Sequence, residues 1–325
     1  MKQSWWKIVL GCLVAASLSV AAWGATTTAP LGALNYVEGN ASIGEQHLSP
    51  SSVGSTDLET GQTLTTQNGR AEILLTPGVF LRLDHHSAVE MISPALTDTE
   101  LRVQQGRASV EVTEIYREND IRIAEDGATA RLMKTGLYDF DAQHDQIRVF
   151  DGQAVVQDGD QQIKLKGGHE LNLNGSAPLK ARKFNKQNAE DDFYRWSSLR
   201  SKYLAEANVD AARIYMYNGW VGPGWYWDPW FSAYTFIPAG GPFFSPFGWG
   251  FYSPFWFYGA PIAYGYPYYY RHFDPHYGWN RPIAPRPNYG EGFHGGWGRP
   301  AMGSLRASGG DHWGGGGFHF GGRGR

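Results

Sequence analysis

Apolar and polar residues alternate in short runs over residues 34–173, and turn-forming pairs separate these runs. Residues 71–75 form one such run, the pair Pro77-Gly78 follows it, and residues 79–83 form the next. Alternation bounded by turn residues is typical of β-strands that are joined as hairpins. Further runs have the same form: residues 101–104, 108–112, 121–124, 130–134, 137–140, 146–150, 154–157, 161–165 and 170–173.

So many short strands exclude an alternating α/β plan. The segment of about 140 residues is long enough to bury a single hydrophobic core. We therefore predict an all-β domain over residues 34–175. The spacing of the turn signals is compatible with a sandwich, a barrel or a solenoid.

An amphipathic helix is the next predicted element, over residues 188–214. Asn188 can cap its N-terminus, and the acids that follow suit the positive end of the helix dipole. One helical face carries an apolar and aromatic stripe: Phe193, Trp196, Leu199 and Tyr203. The stripe predicts a helix that docks on the β domain, and a partner-binding helix is the alternative.

The composition of the chain changes at Tyr215. The 111 residues from this point contain no lysine and about 34 of the 48 aromatic residues. Proline and glycine recur every few positions over residues 215–289 and interrupt any long helix or central strand. The glycine-rich residues 290–325 are predicted to be disordered. Residues 225–270 carry too much apolar surface to stay exposed, so we expect them to pack on the β domain, self-associate or meet an envelope surface.

Aromatic side chains in the helix and in this region are candidates for partner binding. The six tryptophans with this predicted role are Trp196, Trp225, Trp227, Trp230, Trp249 and Trp256.

The N-terminus has the layout of a secretory signal peptide, which we place at residues 1–24. Lys2 and Lys7 precede an apolar run over residues 8–22, and Ala22-Trp23-Gly24 offers small residues at a cleavage point. The run is shorter than the roughly 20 residues of a spanning helix. Cleavage would remove Cys12, the single cysteine, and leave a protein without a thiol. A retained anchor is the alternative. We expect an exported protein that is periplasmic, bound to the envelope or secreted.

The remaining boundaries follow from these segments. Linkers are predicted at residues 25–33 and 176–187. Residues 25–214 carry a net charge of −8, whereas the segment after them carries +3. An acidic body without clustered basic residues argues against nucleic acid as a partner.

Four sequence blocks in the β segment resemble those of FecR-like domains. Residues 64–91 read LTTQNGRAEILLTPGVFLRLDHHSAVEM, which resembles the opening of such a domain. The blocks that follow in the expected order are LRVQQGRASVEV at residues 101–112, TGLYDFD at 135–141 and IRVFDGQAVV at 147–156. The resemblance covers residues 61–173. Pro77-Gly78 replaces the usual Asp-Gly, and Thr135-Gly136 reverses the usual Gly-Thr.

This resemblance implies a β-rich module outside the cytoplasm, best known as the sensory half of a transmembrane anti-sigma regulator of iron uptake. Such regulators need a cytoplasmic segment and a spanning helix ahead of the β domain. Here a signal sequence precedes Thr26. We therefore expect the fold and the compartment of the family, no direct sigma-factor partner, and contact with a membrane only through a partner.

The β segment offers little chemistry. His169-Glu170 is similar to the start of a zinc-protease helix, but Leu173 stands at the second ligand position. Asp84, His85, His86 and Ser87 are neighbours in a predicted strand, so their side chains alternate between faces and form no triad.

Metal binding has two weak candidates. One is the acidic group Asp139, Asp141 and Asp145, which lacks the glycine and the distal glutamate of a calcium loop. The other is a set of tail histidines that could bind a transition metal loosely: His272, His276, His294, His312 and His319. We predict no catalytic residue, no cofactor and no dedicated metal site, and therefore no enzyme.

Two functions remain compatible with this sequence. The first is an envelope scaffold or interaction protein whose tail attaches it to an envelope protein or polysaccharide. The alternative is a sensory or regulatory module that signals through a separate membrane partner.

Overall fold

The computed structural model describes residues 29–175, 178–217 and 219–258. The predicted signal peptide, the tail histidines and residues 290–325 lie outside this range. Within it the chain is mainly β-structure, which confirms the all-β prediction. Two large sheets hold seventeen of the strands.

The first sheet has eight strands in the order β1-β5-β6-β9-β12-β13-β16-β17, and every neighbouring pair is antiparallel. We call it the eight-stranded sheet. Its strands are β1 (Leu34–Glu38), β5 (Arg70–Leu74), β6 (Val79–Leu83), β9 (Arg107–Val112), β12 (Gly136–Asp141), β13 (Gln146–Asp151), β16 (His169–Asn172) and β17 (Arg182–Lys183).

The second sheet has nine strands in the order β15-β14-β11-β10-β8-β7-β4-β2-β3. Only the β8 and β10 pair is parallel. Its strands are β2 (Ala41–Ile43), β3 (Gln46–His47), β4 (Thr63–Thr66), β7 (Ala88–Ala95), β8 (Asp98–Gln105), β10 (Ile121–Glu125), β11 (Ala128–Leu132), β14 (Gln153–Asp158) and β15 (Gln161–Lys166).

The main core contains apolar side chains from both sheets, as in a sandwich. Ile73 and Val110 contribute from the eight-stranded sheet, and Leu101 and Ile123 contribute from the other. These residues come from the alternating runs of the sequence, because every second side chain of a strand points to the same face. The central strand β6 is buried along its whole length, so the outer face of the eight-stranded sheet must be covered as well.

A long helix (Asp192–Tyr217) supplies part of this cover. It begins after Asp191, whose Oδ1 accepts a hydrogen bond of 3.0 Å from the backbone N–H of Tyr194. Asn188 was the predicted cap, but it lies in a short preceding helix (Lys186–Ala189) that Asn185 caps. The long helix therefore starts at Asp192, four residues after the predicted start.

The buried face of the long helix also differs from the predicted stripe. Phe193 is buried, whereas Leu199 is 62% exposed and Tyr203 is 37% exposed. Polar side chains face inward instead: Ser197, Arg200, Ser201 and Asn208. The reason is that the helix covers a sheet face with charged residues, so its polar positions find their partners there.

The aromatic region forms two hairpins over residues 219–258. The strands are β18 (Gly224–Asp228), β19 (Ala233–Ile237), β20 (Pro242–Phe244) and β21 (Gly250–Tyr252), and a short helix (Pro254–Tyr258) follows. Phe236 and Phe251 form a second core with Phe80 of the sheet and Leu204 of the helix. Of the three expectations for this region, packing on the β domain describes the part before residue 259.

Candidate functional site

A line of directly paired residues crosses the eight-stranded sheet from edge to edge. In register order it comprises Tyr36, Glu72, Arg82, Ser109, Asp139, Arg148, Glu170 and Arg182. We call this line the charge ladder. Opposite charges that face each other across neighbouring strands attract, so the ladder favours this strand register.

Glu72 and Arg82 of the ladder are fully buried beneath the long helix. Arg82 donates from Nε to Glu72 at 2.8 Å and from Nη1 to Glu111 at 2.5 Å, and none of these three side chains is exposed. The helix completes the cluster, because Arg200 donates to Glu72 at 2.9 Å and Ser201 donates to Glu111 at 2.7 Å. We call these five residues the buried ion cluster.

The two glutamates of the cluster differ in their pKa. Burial raises the pKa of Glu72, but Arg200 and Arg82 outweigh this effect and hold the pKa below its ordinary value. Burial also raises the pKa of Glu111, and Arg82 and Ser201 offset the rise only in part. Glu72 contacts two arginines and Glu111 contacts one, and the additional arginine, Arg200, belongs to the helix and not to the sheet.

The second half of the ladder is partly open to solvent near the start of the helix. Arg107 binds Asp139 through two hydrogen bonds of 2.8 and 3.0 Å and also pairs with Asp191. The Arg107 guanidinium lies over the Phe193 ring at 5.3 Å. Burial raises the pKa of Asp139 even though Arg107 favours its ionised form.

A cleft beside these residues is lined by Ser109, Asp139, Phe193 and Ser197, among others. Its volume of about 10 Å³ corresponds to one water molecule. The hydroxyl of Ser197 has no protein partner in the described part of the chain, so a bound water would satisfy it. The cleft is too small for a metabolite in this conformation.

The aromatic hairpins are fixed to the β domain by buried polar contacts. Trp225 donates from its indole N–H to the Leu75 carbonyl at 3.0 Å, and its ring meets Phe80 edge-on at 4.9 Å. The side chain of Asn35 donates to the Tyr234 carbonyl at 3.0 Å and accepts from the Tyr234 N–H at 2.8 Å. These bonds give the hairpins a defined position on the domain.

The structure separates the six predicted partner-binding tryptophans by exposure. Trp225 and Trp249 are 2% and 8% exposed, so neither offers an accessible surface in this conformation. Trp196, Trp227 and Trp256 are intermediate. Trp230 is 85% exposed and alone among the six presents most of its side chain to solvent.

Trp230 lies in the turn between β18 and β19, and the backbone of this turn is tightly held. The buried Asp228 accepts hydrogen bonds from the N–H groups of Trp230 and Phe231 at 2.8 and 3.0 Å. Tyr203 of the long helix donates to the Phe231 carbonyl at 2.9 Å, and the two rings meet edge-on. Leu199 lies one helical turn before Tyr203 and is also exposed. We call Leu199, Tyr203, Trp230 and Phe231 the Trp230 patch.

Several of the weaker sequence candidates are engaged in ordinary structural contacts. Asp84 pairs with Arg70 at 2.8 Å, and the Ser87 hydroxyl accepts from the Arg107 backbone N–H at 2.8 Å. His169 and Glu170 lie in strand β16, in line with the argument against a zinc-protease helix. Asp141 accepts a hydrogen bond from His144 Nδ1 at 2.8 Å.

Asp145 pairs with Asn174, and Asp139 with Arg107. No group of three acidic, histidine or cysteine side chains within residues 29–258, as far as they are described, is arranged to hold a metal ion. In the same range, no helix has the length and apolar character to cross a membrane.

Sequence reasoning missed the residues that organise this site. Glu72, Arg82 and Glu111 occupy alternate positions of predicted strands, where polar residues normally face water. Their pairing depends on strand register and on the helix, neither of which short sequence patterns define. Asp228 and Asn208 gave no signal beyond being polar residues in apolar surroundings.

Comparison with family models agrees with the resemblance in the sequence. Residues 62–155 match the family model described as FecR protein. Two crystal structures of a "putative anti-sigma factor" from Parabacteroides distasonis ATCC 8503, at 2.50 and 1.65 Å resolution, are similar to 39% of this chain. Each has 14% sequence identity and a TM-score of 0.34.

The similarity spans 62% of the length of those solved chains. No curated protein matches the sequence. The family match contains Glu72, Arg82, Arg107, Glu111, Asp139 and Arg148, whereas the helix and the hairpins that cover them lie outside it. The chain therefore carries a FecR-like domain, to which a helix and two aromatic hairpins are added.

Proposed function

We propose that this protein is an exported, non-enzymatic regulatory module that passes a signal to a separate membrane partner. The FecR match of residues 62–155 carries the proposal, because the family resemblance implies a sensory role outside the cytoplasm. The proposal corresponds to the second of the two functions compatible with the sequence. The comparisons lend no support to the scaffold hypothesis or to attachment through the tail.

Burial of the aromatic region favours the same choice. A tail that binds an envelope polymer needs accessible aromatic surface, yet Trp225, Phe236 and Phe251 are at most 2% exposed. In the described range these side chains join the hairpins to the domain instead. The domain, the long helix and the hairpins therefore act as one unit in the proposed mechanism.

The partner is proposed to bind at the Trp230 patch. Tryptophan and tyrosine are the side chains most often found at the energetic centres of protein interfaces. Asp228 already holds the backbone of this turn in place, so binding of the 85% exposed indole costs little backbone entropy. The signal would pass from the sheet through the buried ion cluster to the helix, and from Tyr203 to the turn.

A genetic test separates regulation from scaffolding. Deleting the gene should change the transcription of a defined set of genes, and the wild-type gene should restore it. Trp230→Ala should fail to restore it, whereas Tyr217→Ala, which removes a 75% exposed aromatic residue outside the patch, should succeed. An envelope defect without a transcriptional change would contradict the regulatory role.

Crosslinking tests the partner directly. A photoreactive phenylalanine at position 230 should form an adduct with an integral membrane protein in intact cells, and the same group at position 217 should not. Export is tested by the fusion of an alkaline phosphatase to residue 258. Activity of this fusion requires an oxidising compartment, so an inactive but intact fusion would contradict the proposed location.

A further inference from the structure

Strand β15, at one end of the nine-stranded sheet, has a longer free edge than the other edge strands of the two large sheets in the described structure. At the opposite edge β3 has two residues, and in the eight-stranded sheet β17 also has two. The other edge strand of the eight-stranded sheet, β1, is covered in part by Tyr234, whose backbone binds Asn35. Strand β15 has six residues and pairs with β14 in continuous register.

The register shows which backbone groups of β15 point outward. Asp158 pairs with Gln161 across a two-residue loop, and the Gly167 N–H donates to the Gly152 carbonyl at 3.0 Å. Hydrogen-bonded and non-hydrogen-bonded pairs alternate in an antiparallel ladder. Gln162, Lys164 and Lys166 belong to the non-hydrogen-bonded pairs, so their backbone N–H and C=O groups point away from β14.

No described segment occupies this outward edge through a backbone hydrogen bond. A side-chain contact lies at the start of the strand, where the Gln161 side chain accepts from the Leu179 N–H at 3.0 Å and donates to its carbonyl at 2.7 Å. Residues 162–166 pair with β14 alone within the described structure. The free stretch offers three outward residues, which suffices to align a short extended segment.

Side chains along the strand define the chemistry of the segment that fits. Lys164 and Lys166 are exposed on one face, and neither makes an ion pair with a described acidic residue. Ile163 and Leu165 are buried on the other face. Residues 25–214 are acidic overall, so the two lysines form a local positively charged site.

We propose that β15 binds an extended segment of a partner protein that adds to the sheet as a tenth strand. The segment would carry acidic residues at alternate positions, opposite Lys164 and Lys166, and apolar residues between them that extend the core beside Ile163 and Leu165. Backbone hydrogen bonds would supply the affinity, and the side chains would define the register. This surface is distinct from the Trp230 patch, and the proposal does not depend on it.

The test is a titration of the full chain with a fluorescent eight-residue peptide of alternating glutamate and valine, followed by anisotropy at low salt. Wild type should bind saturably. Lys164→Pro removes one outward N–H without touching the β14 ladder and should weaken binding by about tenfold or more, the equivalent of one hydrogen bond. Lys164→Ala should weaken it by only about twofold to threefold.

Two controls address charge and folding. Lys134→Ala removes an exposed lysine of equal charge away from the edge and should bind as wild type does. The double variant Lys164→Glu with Lys166→Glu should reject the glutamate peptide and bind a peptide of alternating lysine and valine. This reversal of peptide preference tests the proposal even if the proline variant fails to fold.

Absence of binding to wild type would overturn the proposal, as would equal binding by wild type and a folded Lys164→Pro variant. Either result would assign the lysines the role of preventing unwanted strand pairing, which is a common use of lysine at sheet edges.

Discussion

Arg200 of the long helix donates a hydrogen bond of 2.9 Å from Nη2 to Oε1 of Glu72 in strand β5. The two residues are 128 positions apart in the sequence. The same guanidinium lies 4.0 Å above the Tyr36 ring. Glu72 and Arg82 belong to the FecR match, and Arg200 does not. This contact therefore joins the added helix to the charged face of the family domain.

Removal of Arg200 should destabilise the protein strongly. Arg200→Ala leaves Glu72 buried with Arg82 as its remaining cation, and we expect a loss of about 2–4 kcal/mol in the free energy of unfolding. Urea denaturation monitored by tryptophan fluorescence measures this loss. Arg195→Ala removes an arginine of the same helix that is 66% exposed and should cost at most about 0.5 kcal/mol. Equal effects of the two variants would show that the buried ion cluster contributes nothing specific.

The hairpins should detach from the helix when Asn208 is truncated. Its buried amide donates to the Phe236 and Tyr252 carbonyls at 2.7 and 3.1 Å and accepts from the Tyr252 N–H at 2.7 Å. Asn208→Ala leaves these groups without their partner, at a cost of about 2–4 kcal/mol. Hydrogen exchange of the Tyr252 amide should accelerate, whereas the exposed Asn188→Ala variant should leave it unchanged. Unchanged protection of Tyr252 in Asn208→Ala would contradict the assignment.

Glu125 should make stability depend on pH. Burial, followed by repulsion from Asp139, Asp141 and Asp145, raises the pKa of Glu125 to about 8, and the Gln146 N–H opposes this only in part. The folded protein thus holds this proton more tightly than the unfolded chain, whose glutamate pKa is about 4.3. The stability that the protonated group contributes is fully present below about pH 4.3 and is lost as the pH rises through the folded-state pKa of about 8.

Glu125→Gln keeps the neutral shape and removes the titration. Its advantage over wild type in unfolding free energy should be near zero at pH 4 and grow to about 4–5 kcal/mol at pH 8. Urea denaturation at intervals of one pH unit gives this difference directly, since the contributions of other groups cancel between the two proteins. The exposed Glu118→Gln variant serves as the control. A difference that stays constant with pH would rule out Glu125 as the source.

Two glycines with similar backbone angles should respond differently to alanine. Gly152 has φ +97°, and a Cβ atom there would lie 2.7 Å from the Thr135 carbonyl oxygen and 2.4 Å from the Tyr138 hydroxyl. Gly127 has φ +78° and open space around it. Gly127→Ala should cost about 1 kcal/mol for the backbone alone.

Gly152→Ala adds a steric clash with backbone and should cost about 2 kcal/mol more. Thermal unfolding of both variants measures the difference. Similar melting temperatures would mean that the turn at Gly152 relaxes without cost.

Local patterns predicted much of the fold. Alternation with period two identified the strands around Ile73, Leu81, Val110 and Ile123, because a strand with one buried face imposes that period wherever it lies. The family blocks indicated the same domain. The apolar periodicity after the β segment predicted a helix there. The start of this helix was misplaced because Asn188 and Asp191 can both cap a helix N-terminus.

The functional surface could not be derived in the same way. The six tryptophans look alike in sequence, but Trp225 is buried against Phe80 and Trp230 projects from a turn, since exposure depends on which segment packs over each ring. Likewise, Leu199 belongs to the predicted buried stripe, but the charged sheet face selects an adjoining side of the helix, which shares Phe193 with that stripe.

Side-chain periods and turn residues were enough to locate most central strands and, within four residues, the start of the helix, because these signals act within a few positions of each other. Tertiary structure alone decided which polar residues are buried, which tryptophan is exposed and which sheet edge is free. Those properties arise from contacts between segments as distant as Glu72 and Arg200. The free energy of burying a charge depends on a partner that no local pattern contains.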